Sequence, residues 1–312
     1  MGRSGPQEGP CTVAPVATHR VTSSTDVDVT LHVEDTGSGP PLLFIHEFAG
    51  DQRSWEPQLR HFSSRYRCIT YAARGYPPSS VPERVEAYSQ QHAVQDAIDV
   101  LAALGAGPAH VVGLSMGGFC ALHLALQAPE SVVSVTIGGV GYGAAPEQRE
   151  GFQEECEVIA KAFETEGAAQ VALRYAVGPA RVQFQNKDPM GHAEFTTMLA
   201  GHSSLGSALT MRGFQKGRPS LYDFTEELAR MSVPLLVLVG DEDEGAIEAS
   251  VALKRMVRTA GLVVFPRTGH TLNLEEPALF NATLDSFLTA VTAGSWVARD
   301  PRSLSTSTTG MS

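Results

Sequence analysis

Ala109-His110-Val111-Val112-Gly113-Leu114-Ser115-Met116-Gly117-Gly118-Phe119 is the stretch on which the reading of this chain turns. A mostly apolar run, 109–114, leads straight into a serine flanked by glycines two residues away on either side. An Ala- and Leu-rich segment with helical character, 119–128, leads straight out. Continuous apolar runs suit strands covered on both faces, as strands of parallel sheets are. The order is therefore strand, tight turn, helix, and the turn reads G-x-S-x-G. A turn this tight forces its central residue into strained backbone, and the glycines remove the clashes around it. The hydroxyl is then projected at the C-terminal edge of the sheet, with the N-terminus of the following helix aimed at developing negative charge. The three letters are weak by themselves in a chain with 30 glycines, because a plain glycine-rich βα turn carries them too. The flanking strand and helix give them meaning.

Outward from this turn, similar apolar runs recur at 42–45, 132–137, 234–239 and 262–265. From 27 to 33 apolar residues alternate with polar ones (Val27, Val29, Leu31, Val33), which suits a strand with one wet face. Helical periods lie between the runs. Val94, Ile98, Leu101 and Leu104 recur at three- and four-residue spacing, with Asp96 and Asp99 expected on the opposite, solvated side. Phe280, Leu284, Phe287 and Leu288 do the same after Pro277, a residue suited to a first helical turn. Strands alternating with helices predict an α/β fold with a mostly parallel, doubly wound sheet and right-handed crossovers.

The rhythm breaks between 137 and 234, where helical pattern (Phe152, Cys156, Ile159, Phe163) runs on without a convincing strand. We expect a helical cap at 143–222, inserted after the strand at 132–137 and sharing a core with the main domain. The expected organisation is a disordered leader at 1–20, a core built from 21–142 and 223–293, the cap between them, and a disordered tail at 294–312. The leader is rich in Gly and Pro and has no apolar segment resembling a secretory signal.

The chain of 312 residues is long enough for a sizeable core, with 43% hydrophobic and 18% charged residues. A net charge of −11 argues against nucleic acid or anionic membrane surfaces as partners. No apolar run approaches the ~20 residues that a membrane-spanning helix needs. Cys11, Cys68, Cys120 and Cys156 lie far apart, which favours a reducing compartment, and we expect a cytoplasmic protein. No histidine–carboxylate cluster has metal-ligand spacing and no glycine-rich phosphate loop follows the first strand, so no metal and no cofactor are expected.

With these motifs in order, the chain resembles α/β-hydrolase enzymes over 22–293. Besides the serine turn, Ile45-His46-Glu47-Phe48-Ala49-Gly50 resembles the family's His-Gly oxyanion loop. Tyr71-Ala72-Ala73-Arg74-Gly75-Tyr76 resembles its Arg-Gly turn, Val239-Gly240-Asp241-Glu242-Asp243 its acid loop, and Thr268-Gly269-His270 its histidine loop. The resemblance implies Ser115 as nucleophile. A serine hydroxyl needs a base near neutrality; of the ten histidines only His270 comes last in the order serine, acid, histidine. The family offset of three residues after the glycine selects Asp243 as the acid, with Asp241 as the other candidate and otherwise a loop-shaping residue. The resemblance also implies the amides of Phe48 and Met116 as oxyanion donors.

One position departs from the pattern. The second residue of the His-Gly loop is Glu47, where the family has glycine. A carboxylate there would repel a developing oxyanion, or orient a water or polar substrate group, or turn away to brace the loop; we expect bracing. The cap offers Phe184, Phe195, Met198, Leu205, Met211 and Phe214 as core or pocket wall, with Arg174, Arg181 and Arg212 available. Serine at the elbow, where epoxide hydrolases and haloalkane dehalogenases of this shape have aspartate, points to acyl transfer to water. The expected activity is hydrolysis of a small carboxylic ester, and the lettering also resembles hydrolases of aromatic diacid monoesters. Lactones, C–C bonds of ring-cleavage products and a non-catalytic binding protein remain the alternatives. The expected partner is a small-molecule ester, and a homo-oligomer is compatible with the sequence.

Overall fold

A computed structural model of the chain describes residues 16–304 and 309. Eight strands form one sheet in the order β1-β2-β4-β3-β5-β6-β7-β8: β1 Ala17–Thr22, β2 Thr30–Thr36, β3 Pro41–Ile45, β4 Arg67–Tyr71, β5 Ala109–Leu114, β6 Val132–Gly138, β7 Leu235–Gly240 and β8 Ala260–Phe265. The first two strands pair antiparallel, β2 is antiparallel to β4, and β3 to β8 run parallel. The continuous apolar runs at 42–45, 109–114, 132–137 and 234–239 became central strands, whose faces helices cover. The run at 262–265 became the edge strand β8, where Val264 is 48% exposed. Leu43, Ile45 and Val111 pack toward helices Gln90–Ala103 and Met116–Gln127. Phe44, Val112 and Leu238 pack on the other face, against Trp55, Phe62 and helix Pro277–Thr292.

Between β6 and β7 the chain is helical, with long helices at Arg149–Glu166 and Pro189–Ala200. Phe163, Val171, Phe184 and Phe195 from this cap form one apolar cluster with Phe48, Tyr76 and Met116 of the sheet's loops. The cap thus rests on the C-terminal edge of the parallel strands, where every crossover loop begins.

Several expectations are corrected. Residues 17–20, expected in a disordered leader, open β1, an edge strand whose alternation is faint because only Val21 is buried. Residues 1–15, with Cys11, lie outside the described residues. Val27, expected in the first strand, is 80% exposed in a turn closed by Val29 N–H donating to the Asp26 carbonyl. The start of the expected tail is docked: Trp296 stacks edge-on to Phe287 and donates to the Thr259 carbonyl at 2.8 Å, because its indole finds a flat seat over Gly261. Asp96 is buried rather than solvated, its carboxylate held by Arg74 at 2.6 and 2.7 Å. That pair fastens the Arg74-Gly75 turn to helix Gln90–Ala103. β4 has no place in the hydrophobic pattern, since Arg67 and Thr70 interrupt it. Cys68, Cys120 and Cys156 are buried free thiols. Among the described residues, no helix is long and apolar enough to cross a membrane.

Candidate active site

The end of β5 delivers Ser115 as expected. Its backbone lies at φ 52°, ψ −112°, a region that costs on the order of 1–3 kcal/mol for a non-glycine residue. The flanking glycines are required by close approach. A Cβ on Gly113 would meet the Gly117 carbonyl oxygen at 2.1 Å, and one on Gly117 would meet the Ile45 carbonyl oxygen at 2.1 Å. Ser115 N–H donates to the Gly138 carbonyl at 2.7 Å, which anchors the turn to the end of β6.

His270 arrives on the loop after β8. The cap takes part in holding it: His270 N–H donates to the Ala180 carbonyl at 2.8 Å. Buried Glu275 accepts from Gly269 N–H at 2.9 Å on the other side. Imidazole Nδ1 lies 2.8 Å from Asp243 Oδ2, with Asp243 fully buried. The second carboxylate oxygen accepts from the Tyr142 hydroxyl at 2.7 Å, and the Tyr142 ring meets the imidazole edge-on at 5.3 Å. Burial alone would push the Asp243 carboxyl upward. The His270 interaction, the Tyr142 hydroxyl and the charge of Arg181 outweigh it and hold Asp243 below the ordinary carboxylate range.

Asp241 is exposed and does not face His270. It accepts from Thr268 N–H at 3.1 Å, tying the acid loop to the histidine loop. Phe48 and Met116 both belong to the apolar cluster beneath the cap. Their amides donate no hydrogen bond to the described residues, while the Phe48 carbonyl is occupied by the Tyr76 hydroxyl at 2.9 Å. His46 links this loop to the chain after β4, accepting from Ala73 N–H at 3.0 Å through Nε2.

Glu47 is buried with its carboxylate turned to the cap, where Arg181 donates to Oε1 at 2.8 Å and to Oε2 at 2.5 Å. Arg181 also donates to the Thr271 hydroxyl, next to His270. Burial raises the cost of the Glu47 charge, but Arg181 more than offsets it and keeps the carboxyl low. Its charge is therefore spent on a guanidinium.

Ser115 and His270 line one cavity of about 580 Å³, roofed by the cap. This volume falls in the usual range for small-molecule sites. Of the cap residues singled out from sequence, Phe152, Cys156, Ile159, Arg174, Arg181 and Met211 reach it. Phe184 and Phe195 pack on each other at 6.0 Å within the cap's own core, and Arg212 is tied to Glu157 and Glu164. Sequence reasoning missed Tyr142, Gln215, Arg218 and Glu275. Tyr142, Arg218 and Glu275 act through partners distant in sequence, Gln215 only lines the cavity, and no local pattern marks any of them.

A serine turned out of the central strand of such a sheet, with a buried carboxylate–imidazole pair opening on the same cavity, defines a class: α/β enzymes that split bonds with water. Comparison with known proteins narrows it. Residues 42–283 match the profile of the alpha/beta hydrolase family, and the chain belongs to that family. It is similar to 3-oxoadipate enol-lactonase 1 of Acinetobacter baylyi, with 26% identity over 84% of this chain and 94% of the relative. An uncharacterized carboxylesterase of Bacillus subtilis is 26% identical over 84% of each chain. Among solved structures, a thermophilic esterase from Thermogutta terrifontis, with malate bound, superposes with a TM-score of 0.78 at 26% identity, covering 88% of this chain and 99% of its own. The chain is a hydrolase.

Proposed function

We propose that this hydrolase cleaves small carboxylic esters through an acyl-enzyme on Ser115. His270 takes the hydroxyl proton as Ser115 Oγ attacks the carbonyl carbon, and Asp243 holds the imidazole tautomer and stabilises the imidazolium. The amides of Phe48 and Met116 receive the oxyanion. Collapse of the tetrahedral intermediate breaks the ester C–O bond, and the leaving alkoxide takes the proton from His270. A water then repeats the sequence, releasing the acid and restoring Ser115.

The observation that carries this reading is the 2.8 Å contact between His270 Nδ1 and buried Asp243, opening on the cavity that Ser115 also lines. The esterases and the enol-lactonase among its relatives support it, and a lactone is the same bond closed into a ring. Opening of small lactones is therefore the second reading, ahead of C–C cleavage.

A fluorophosphonate probe tests both against a non-catalytic binding protein. Stoichiometric labelling mapped to Ser115 is expected, together with a fall in kcat on the order of 10⁶ in Ser115→Ala at unchanged melting temperature. Labelling elsewhere, or activity within about tenfold of the parent, would overturn the assignment.

A further inference from the structure

Three arginines are buried among the described residues: Arg74, Arg181 and Arg218. Arg74 pairs with Asp96 and Arg181 with Glu47. Arg218 is 3% exposed, lines the same cavity as Ser115 and His270, and has no acidic partner among the described residues. A buried cation without a counter-charge is costly, and an anionic ligand group that pairs with it relieves that cost.

We propose that Arg218, helped by Gln215 of the same cavity, binds a carboxylate on the substrate, so that monoesters of dicarboxylic acids are preferred. The proposal rests on Ser115 being the nucleophile. It goes further by naming the chemistry of the part of the substrate that does not react.

The guanidinium carbon lies over two rings, 3.9 Å from the Phe119 centroid and 4.7 Å from that of Phe152. Contact with the rings holds the group in place, and a guanidinium fork suits bidentate capture of a carboxylate. One nitrogen is used: Nη2 donates to the Tyr142 carbonyl at 2.5 Å. Nε and Nη1 donate to no described protein atom, yet neither is among the sealed, unpartnered atoms.

Gln215 also lines the cavity, and its Oε1 is buried without a partner. Its amide nitrogen donates to no described residue and is not sealed, so it offers the same cavity a neutral donor. Gln215 closes a stretch where the helix widens: Lys216 N–H reaches back five residues to the Met211 carbonyl at 2.9 Å. Such wide turns concentrate at functional sites.

The position relative to the reacting centre is also suitable. Phe119, under the guanidinium, is one helical turn after Ser115 and donates its N–H to the Ser115 carbonyl at 2.9 Å. Tyr142 spans the two ends, its carbonyl on Arg218 and its hydroxyl on Asp243. A short diacid monoester would place its free carboxylate at one end of Tyr142 and its scissile carbonyl toward the other. Burial is the main cause that pushes Arg218 down to about 9, with the nearby Arg149 charge adding to it against the Cys156 thiol. The group stays cationic at neutral pH, and an arriving carboxylate relieves the cost of its burial.

The test compares mono-p-nitrophenyl glutarate with p-nitrophenyl hexanoate, a neutral ester of similar length, on the full chain and on Arg218→Met and Arg218→Lys. The parent should favour the glutarate monoester in kcat/KM. Arg218→Met should lose about 10–100-fold more on the acid ester than on the neutral one, the worth of hydrogen bonds to a charged group, mainly through KM. Arg218→Lys should recover part of that loss. Glutarate binding measured by calorimetry on Ser115→Ala, with and without Arg218→Met, reads the contact without turnover, and the second change should abolish it. Equal losses on both esters with a lowered melting temperature would overturn the proposal and leave Arg218 as a brace between the rings. Glutarate binding unaffected by Arg218→Met would overturn it too. If the parent hydrolyses neither ester, the assignment of Ser115 fails, and the calorimetry separates that failure from failure of Arg218.

Discussion

Arg181 of the cap and Glu47 of the loop after β3 form a two-pronged ion pair, 2.8 and 2.5 Å, closed off from solvent on both sides. It joins elements 134 residues apart and passes beside His270 through the Thr271 hydroxyl. Glycine at position 47 would remove the only anion that Arg181 pairs with among the described residues, so the departure at 47 and the cap arginine form a single feature.

Glu47→Gln should therefore act first on stability. Removing one partner of a buried pair strands the other charge and costs about 3–5 kcal/mol. Urea unfolding should show a loss of this order, with a smaller proportional change in kcat on a p-nitrophenyl ester. Arg181→Met added to Glu47→Gln should restore part of the stability. A collapsed kcat at an unchanged midpoint would mean that Glu47 works on the substrate rather than on the cap.

Asp243 and Asp241 should separate sharply in kinetics. Asp243→Asn takes away the acceptor that fixes the His270 tautomer, and the expected fall in kcat is on the order of 10⁴. Asp241 only ties Thr268 into its loop at 3.1 Å, so Asp241→Asn should stay within about tenfold of the parent. Reversed magnitudes in a side-by-side assay would transfer the acid role to Asp241.

Stability should fall in acid in two stages. Burial lowers His110 to about 4, and burial followed by the Arg218 charge lowers His123 to about 4, against an ordinary value near 6.5. Between those values the unfolded chain binds protons that the native state refuses, so this stability is present above pH ~6.5 and lost as pH drops toward ~4. Each histidine contributes up to about 3 kcal/mol, with a slope approaching ~1.4 kcal/mol per pH unit. Glu47 and Asp243, both depressed, keep their contribution until the pH falls through the carboxylate range and below it. Glu275, raised by burial, works in the opposite direction there. Urea midpoints across pH should show the early decline, and His123→Gln should remove about one proton's worth of its slope. A midpoint that is flat from pH ~7 to ~4 would contradict the assignment of these histidines as buried and neutral.

Ester hydrolysis should survive dialysis against EDTA. Among the described residues no three histidine, cysteine or carboxylate side chains group as a metal site, and the proposed chemistry uses only Ser115, His270, Asp243 and two amides. Activity lost to chelation and restored by one metal would require a different mechanism.

What the sequence determined by itself was local or periodic. Apolar runs marked four central strands because burial on both faces leaves few polar positions, such as His110 and Ser134, which bond each other. The Gly113–Ser115–Gly117 spacing marked the elbow because a Cβ at either glycine would strike a carbonyl 2.1 Å away. Chain order and loop position singled out His270. Two strands were faint: β1, at the edge, buries one side chain, and β4, between β2 and β3, is interrupted by Arg67 and Thr70. Only the tertiary structure set the His270 imidazole against Asp243 rather than Asp241, because both follow the same strand and both meet the histidine loop, Asp241 through the Thr268 N–H alone. It alone turned Glu47 toward Arg181, buried Asp96 against Arg74, and left Arg218 facing the cavity without an acidic partner among the described residues. Charges and hydrogen bonds find their partners through space, and a separation of 134 residues leaves no period or spacing to read.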